Sequence, residues 1–465
     1  MCENEDDIIT VGKYVIIKKL NFKKIYKVTM NGTLMLGKDA VKMHEIIGKP
    51  FWTTFEMVQV KGGKRTYSLK EVVETESLND LLSELPSGSD NRSIIDDGTS
   101  QKLSKEQILQ LQESGKSGKE IVGSLIENNK SFLERTEYSQ EKYLKKKEQK
   151  YLRYITIWKP SINLLHDIYF KLDHNKIGNL RMDSLAQLLS YSDVQSDGLY
   201  ILYDSGSHGL PAAAMLNRIG SNTKGHLINL HPGNEPQVAL INAMNFPKEQ
   251  SDRLFNVNIY GFLRLYYQGA SAVLDKISKK AYNDNINKVK KKNLNDNESN
   301  DEIKHSIDEK EKNLDNNESN DKTNEDVKHS TNGSLKRKRN ESDKCKSAKL
   351  TLVKKPKWLP KTQEAVDLVN GSKARGLAII AREHPLNIVI ALLPFLGPSR
   401  PFVIYHVHRE PLLETYMTLK QKQNVINLKL FSNFLRSYQV LPDRTHPDIL
   451  TSDTGGYLLS GYLVQ

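Results

Sequence analysis

Cysteine is nearly absent. Of 465 residues only Cys2 and Cys345 carry a thiol, which excludes a disulfide framework and a four-cysteine zinc site and places the chain in a reducing compartment. Long apolar runs are missing too. The longest, Leu386 to Gly397, is broken by Asn387 and Pro394 and falls far short of the roughly 18 apolar residues a membrane span needs, so no membrane is expected among the partners. The first residues, Met1 to Asp7, are acidic and no apolar segment follows, so a secretory leader is not expected. Aromatic residues vanish between Asn283 and Lys357, where lysine, aspartate, glutamate and asparagine dominate. Too little apolar surface exists there to offset chain entropy, and the stretch reads as disordered. It holds two near-copies of one motif, Asn293 to Asp301 and Asn313 to Asp321, which have no core positions and so do not make a solenoid.

What is present is basic charge. Lys and Arg number 68 against 56 Asp and Glu, a net charge of +12, which favours a polyanionic partner because cations facing phosphates release condensed counterions. Charge alone does not separate RNA from DNA or anionic lipid.

From Ile9 to Val73 short β-rich runs are broken by Asn31-Gly32 and Gly62-Gly63, turn dipeptides that read as hairpins of a small β-barrel. Ser104 with Gln107, and Ser117 with Glu120, fit the capping-box spacing, predicting two short helices separated at Gly115. A longer, strongly basic helix is expected from about Ser131 to Tyr151. From Tyr154 to Gly269 strand-like and helical runs alternate: Leu199 to Tyr203, Leu210 to Arg218, His226 to Leu230, Pro236 to Met244. That alternation predicts a parallel α/β sheet. It resumes after the polar stretch with Gly376 to Ala381, Leu386 to Leu396, Pro401 to His406, Pro411 to Lys420 and Val425 to Leu430, so the polar stretch reads as an insertion within one sheet. Tyr438 to Leu441 and Tyr457 to Val464 suggest a closing antiparallel hairpin, an ending found in class I methyltransferases. The division is therefore a β-barrel domain over 1–80, a basic helical connection over 90–152, and a Rossmann-like fold over 153–274 and 358–465 interrupted by a disordered linker over 275–357.

Leu199 to Tyr203 runs into Asp204-Ser-Gly206-Ser-His208-Gly209, the point where a nucleotide-binding α/β sheet places its glycine loop. Asp204 and Gly206 fit such a loop, but His208 stands where a second glycine is expected and Leu210 where a third would be. The next strand should end in a carboxylate for the ribose hydroxyls, yet it continues His231-Pro232-Gly233. Two independent departures argue against a working S-adenosylmethionine pocket, so neither catalytic nor cofactor-binding residues are assigned. Gly115-Lys116-Ser117 resembles the end of a P-loop but follows a helix and lacks the first glycine. Ser205-Gly-Ser207-His-Gly209 resembles a nucleophile elbow, but Ser205 replaces its leading glycine and Asp443 and His446 stand too close together to complete a triad. His406 and His408 share a strand face without a third metal ligand.

Basic features carry more. Lys142, Lys145, Lys146, Lys147 and Lys150 are interleaved with Tyr138, Tyr143 and Tyr151, suited to phosphate contact and base stacking; a solvated helix face is the alternative. Arg375, Arg382 and Arg400 are expected at or near strand ends where such sheets receive ligands, with Arg382 the preferred ligand residue and surface solubility the alternative. Lys336-Arg337-Lys338-Arg339 reads as a nuclear localisation signal.

Three segments carry a specific resemblance: Asp90 to Leu103, Ile126 to Phe132 continuing through Lys147, and Tyr438-Gln-Val-Leu-Pro-Asp-Arg-Thr-His-Pro447, joined by Gly456-Tyr-Leu-Leu-Ser-Gly461. With these the chain closely resembles the family of non-catalytic subunits of eukaryotic tRNA (adenine-58-N1) methyltransferases, over nearly its whole length outside the linker. The resemblance implies a β-barrel followed by a methyltransferase fold, and a heterotetramer with two copies of a catalytic paralogue that binds S-adenosylmethionine. It implies a nuclear location and tRNA as the ligand; the basic residues read above, Lys142, Lys145, Lys146, Lys147, Lys150, Arg382 and Arg400, are then the expected RNA-facing set. Arg382, within Gly376 to Pro385, matches a family segment placed to approach the partner's active site. A self-sufficient RNA methyltransferase, and an RNA-binding module acting on messenger RNA or translation initiation, are the other readings.

Overall fold

The computed structural model describes residues 7–60, 65–75, 88, 90, 100–114, 116–277, 279, 356–440, 445–449 and 455–464. Six strands come first: β1 (Tyr14–Lys19), β2 (Phe22–Lys27), β3 (Thr33–Leu36), β4 (Asp39–Lys42), β5 (Thr54–Gln59) and β6 (Thr66–Val72). Helices α1 (Lys105–Glu113), α2 (Gly118–Glu127) and α3 (Glu137–Tyr151) follow, and then β7 (Tyr154–Trp158). The seven strands form one sheet in the order β2-β1-β7-β5-β6-β4-β3. Alternation such as Leu34 and Leu36 inward, Thr33 and Met35 outward fills one core that includes Val15, Ile17, Phe55 and Ile155.

Two expectations change here. β7, counted with the α/β fold in the sequence, belongs to the N-terminal sheet, because Ile157 and Ile155 pair with Ile17 and Phe55 on either side. Closure into a barrel is also incomplete. Among the described residues no backbone ladder joins β2 to β3; the Lys24 ammonium reaches across to the Met35 carbonyl at 2.9 Å instead.

Both predicted capping boxes form. Ser117 and Glu120 satisfy each other's backbone donors, and Ser104 and Gln107 do the same. α2 then buries Ile121, Val122, Leu125 and Ile126 against Phe132 and Leu144. α3 begins after Thr136 rather than at Ser131, since residues 129–135 are held as turns by bonds such as Phe132 N to Asn129 O.

After β7 come α4 (Ile162–Asp173), α5 (Met182–Tyr191), β8 (Leu199–Asp204), α6 (Leu210–Ile219), β9 (His226–His231), α7 (Ala239–Ala243), α8 (Lys248–Asp252), β10 (Leu254–Asn258) and α9 (residues 259–277). Then come α10 (Leu359–Gly371), β11 (Gly376–Ile380), α11 (Leu386–Leu392), β12 (Pro401–His406), α12 (Glu410–Lys422), β13 (Val425–Phe431), β14 (Tyr438–Gln439), β15 (His446–Pro447) and β16 (Tyr457–Leu463). The second sheet runs β10-β9-β8-β11-β12-β16-β13. Its pairs are parallel from β10 through β12, with β16 antiparallel between β12 and β13. The doubly wound order with an inverted last strand is the one class I methyltransferases use. The closing hairpin takes another form, since β14 pairs with β15 and β16 inserts deeper into the sheet. Residues 281–355, most of the expected linker, lie outside the described residues, and α9 extends to residue 277.

The strand β1 joins the two sheets into one structure. Val15 and Ile17 face the first core while Ile16, fully buried, faces the second, so this strand is apolar on both faces. Asn245 completes the join, its carboxamide accepting from Tyr14 N and donating to Tyr14 O, each at 2.7 Å. Residues Met1–Tyr260 and Glu364–Gln465 make up one compact unit, and Gly261–Gln363 a second. Among the described residues no helix is long and apolar enough to cross a membrane.

Candidate functional site

All six residues of β8 are buried, so the chain leaves the sheet at Asp204 with no freedom to spread. The Asp204 carboxylate then ties the turn to itself. One oxygen accepts from Gly206 N at 3.0 Å and Ser207 N at 2.9 Å, the other from the Ser207 hydroxyl at 2.6 Å. Gly206 takes φ 143, a region open to glycine and little else.

The space that the glycine loop would offer a ligand is filled. The Arg382 guanidinium, entering from the end of β11, donates through Nη2 to Gly206 O and to Asn175 O, each at 2.6 Å. Its backbone N–H donates to the Ser205 hydroxyl at 2.8 Å. A methyl group on Gly206 would meet the guanidinium carbon at 3.3 Å, so this contact is close. His208, in the second glycine position, adopts φ 54, the left-handed conformation the missing glycine would have taken without strain. Its ring lies 5.7 Å from that of Tyr169. Burial, with Lys176 and Arg382 nearby, holds its imidazole below the ordinary histidine value.

At the end of β9 no carboxylate stands to receive a ribose. β9 ends in His231, which is buried and held by that burial below its ordinary pKa. The neutral ring offers at most one acceptor nitrogen, and Nδ1 has no hydrogen-bond partner. On the neighbouring strand β8 the acid is Asp204, already bonded to its own loop; Glu383, just past β11, accepts the Tyr203 hydroxyl, and burial first, then this carboxylate, keeps Tyr203 protonated. S-adenosylmethionine therefore does not fit the residues present. The two carboxylates at these strand ends are both bonded within the chain, and an arginine and a histidine occupy the loop.

Other candidates separate clearly. His406 Nδ1 accepts from His408 N at 3.0 Å, so the pair closes on itself, and no group of three potential ligands forms a metal site among the described residues. Asp443 and Gly115 lie outside the described residues. Arg375 and Arg400 precede β11 and β12 and stand at the amino ends of these strands, the edge opposite Arg382. The apolar run that makes each strand begins after its arginine, which fixes that polarity. Arg375 is paired with Asp197 at 2.6 Å.

The lysines of α3 divide by helix face. Lys142, Lys146 and Lys150 recur every fourth residue, are exposed, and carry no ion pair among the described residues, so they form one free cationic stripe. Lys145 is paired with Glu141 at 2.6 Å. Lys147 is half-buried with its ammonium 4.9 Å from the Tyr143 ring, and burial lowers its pKa. Lys150 also lies 5.1 Å from the Tyr151 ring but stays exposed; composition showed the cluster, and the structure shows which three members are exposed and without an ion pair among the described residues. The carbonyl of Asn175 and the acid of Glu383 had no signal in the sequence, since each meets its partner across a long separation.

The family model described as Gcd10p matches residues 8–302. A Mus musculus protein named tRNA (adenine(58)-N(1))-methyltransferase non-catalytic subunit TRM6 is 33% identical over 99% of this chain and 89% of its own length. The Dictyostelium discoideum protein of the same description is 27% identical over 98% of this chain and 79% of its own. Among solved structures, a SAM-dependent O-methyltransferase from Thermotoga maritima aligns with 100% of this chain and 98% of its own at a TM-score of 0.46 and 9% identity.

Proposed function

This chain belongs to the Gcd10p family, and from that premise we propose that it is the non-catalytic, tRNA-binding subunit of a tRNA (adenine-58-N1) methyltransferase complex. A catalytic paralogue binds S-adenosylmethionine and transfers the methyl group, with two copies of each chain in the assembly. The observation that carries this reading is the near full-length identity to proteins named as that non-catalytic subunit. The loop between Asp204 and Leu210 supports it, because Arg382 and His208 occupy the ligand's place. The runner-up, a self-sufficient methyltransferase, needs that space vacant.

Methyl transfer to unmodified tRNA, assayed with this chain alone, the catalytic paralogue alone and the two co-expressed, is expected only in the co-expressed sample. Equilibrium dialysis of this chain alone against labelled S-adenosylmethionine should show no saturable binding. Either activity or saturable binding from the isolated chain would overturn the assignment. The mass of the co-expressed complex in solution tests the two-plus-two assembly.

The RNA-facing surface in this proposal comprises the stripe of Lys142, Lys146 and Lys150, with Lys145 and Lys147 at its margins, together with Arg382 and Arg400. Arg382 keeps exposed donors beyond the two that anchor it. Arg400 is half-buried at the far edge, and tRNA affinity unchanged in Arg400→Ala would remove it from the set. Nuclear residence is part of the same proposal. The Lys336 to Arg339 cluster lies outside the described residues; replacing its four members with alanine should move a fluorescent fusion to the cytoplasm, and a retained nuclear signal would exclude it as the import sequence.

A further inference from the structure

A cleft of about 420 Å³ opens between the β1–β2 turn, the ends of β5 and β7, and the flank of α3. Its lining is polar as well as apolar. The hydroxyls of Thr54 and Thr156 line it 3.1 Å apart, and each retains capacity for a further hydrogen bond. Lys18 Nζ lies 4.5 Å from the centre of the Trp158 ring and has no carboxylate partner among the described residues. The Glu148 carboxylate and the Asn21 carboxamide, also on the lining, have no hydrogen bond or ion pair among the described residues. Unpaired polar groups of both signs therefore converge on one concavity.

The turn that presents Asn21 is strained. The register pairs Lys19 with Phe22, which leaves Leu20 and Asn21 as the whole connection, and Leu20 sits at φ 53. A branched apolar residue in the left-handed region is unfavourable where Asn-Gly would relax the turn, and strain of this kind persists at sites where the surroundings hold it.

We propose that this cleft seats one unpaired nucleotide of the bound tRNA. The inference rests on the reading that RNA runs along α3, and Lys145 lines both the helix flank and the cleft. Lys18 and Lys145 receive phosphate, while the threonine hydroxyls and Asn21 meet base or sugar edges. Glu148 decides against a bare phosphate or sulfate, which its charge repels; it accepts from a ribose 2′-hydroxyl or an exocyclic amine. The volume suits a small ligand and not a duplex, and unstacked single-stranded nucleotides are what proteins read in RNA.

The test uses the co-expressed complex with unmodified tRNA and a photoreactive benzoylphenylalanine at position 21 or, separately, 146, both exposed. Crosslinks from both sites are expected, with position 21 marking one loop or end nucleotide. Crosslinking from 146 but not 21, or from 21 to paired stems, overturns the cleft and leaves tRNA binding along α3 standing. Crosslinking from neither overturns both. Independently, the pair Thr54→Val and Thr156→Val should weaken tRNA binding five- to tenfold with an unchanged salt slope, because no charge is lost. Unaltered affinity in the folded double variant also overturns the proposal.

Discussion

Asp204→Ala is expected to lower the stability of the chain by about 3 kcal/mol, read as a shift of the urea unfolding midpoint. The carboxylate accepts two backbone N–H groups and one hydroxyl, and Ser207, which supplies two of the three donors, is fully buried. Alanine leaves those donors without an acceptor inside the fold, and desolvated, unpaired polar groups cost more than the bond that was lost contributed. Asp204→Asn should lose about half as much, since its carbonyl oxygen still accepts both backbone donors. A loss below about 1 kcal/mol for the alanine variant would mean that Arg382, and not Asp204, holds the loop.

The second large effect is electrostatic. Changing Lys142, Lys146 and Lys150 together to glutamate should weaken tRNA binding by the co-expressed complex about a hundredfold or more at roughly 0.1 M salt. It should also flatten the log–log salt dependence by up to about 2 to 3 units, since each phosphate contact contributes about 0.7 to 0.9. The three are free of ion pairs among the described residues, so their charge is available to phosphate. Lys145→Ala should cost only a few-fold in affinity, because its ammonium is shared with Glu141 and only part of its field reaches outward. If the triple variant keeps the parent salt slope, the stripe is a solvated helix face and RNA approaches elsewhere.

Local chemistry was legible in the sequence where partners are near neighbours. The serine, glutamine and glutamate capping boxes span three residues and form as read. The departures at His208 and His231 were visible because a loop between strand and helix leaves fixed places for glycine and acid. What depended on distant pairing was not. β7 alternates buried and half-buried residues, a pattern either sheet would accept, and only its ladders to β1 and β5 decide between them. Likewise nothing near Arg382 reveals that the Asn175 carbonyl will fix it. An arginine written as a ligand residue is, in the fold, first a strut across the loop. Arg400 stands one residue before the strand Pro401–His406, so its place at the amino end, away from the ligand edge, was legible in the sequence itself.

The placement of the polar insertion bears on how the protein is made. β8 is an interior strand of the second sheet, yet its neighbour β11 is encoded after that insertion. At ordinary synthesis rates the ribosome needs on the order of ten seconds to pass from Asn258 to Gly376. Throughout that interval β8 has β9 on one side and an open hydrogen-bonding edge on the other, with every residue destined for burial. Such an edge invites pairing with a foreign strand. The half-sheet is thus exposed for as long as the insertion takes to synthesise, and shortening the insertion should shorten that exposure.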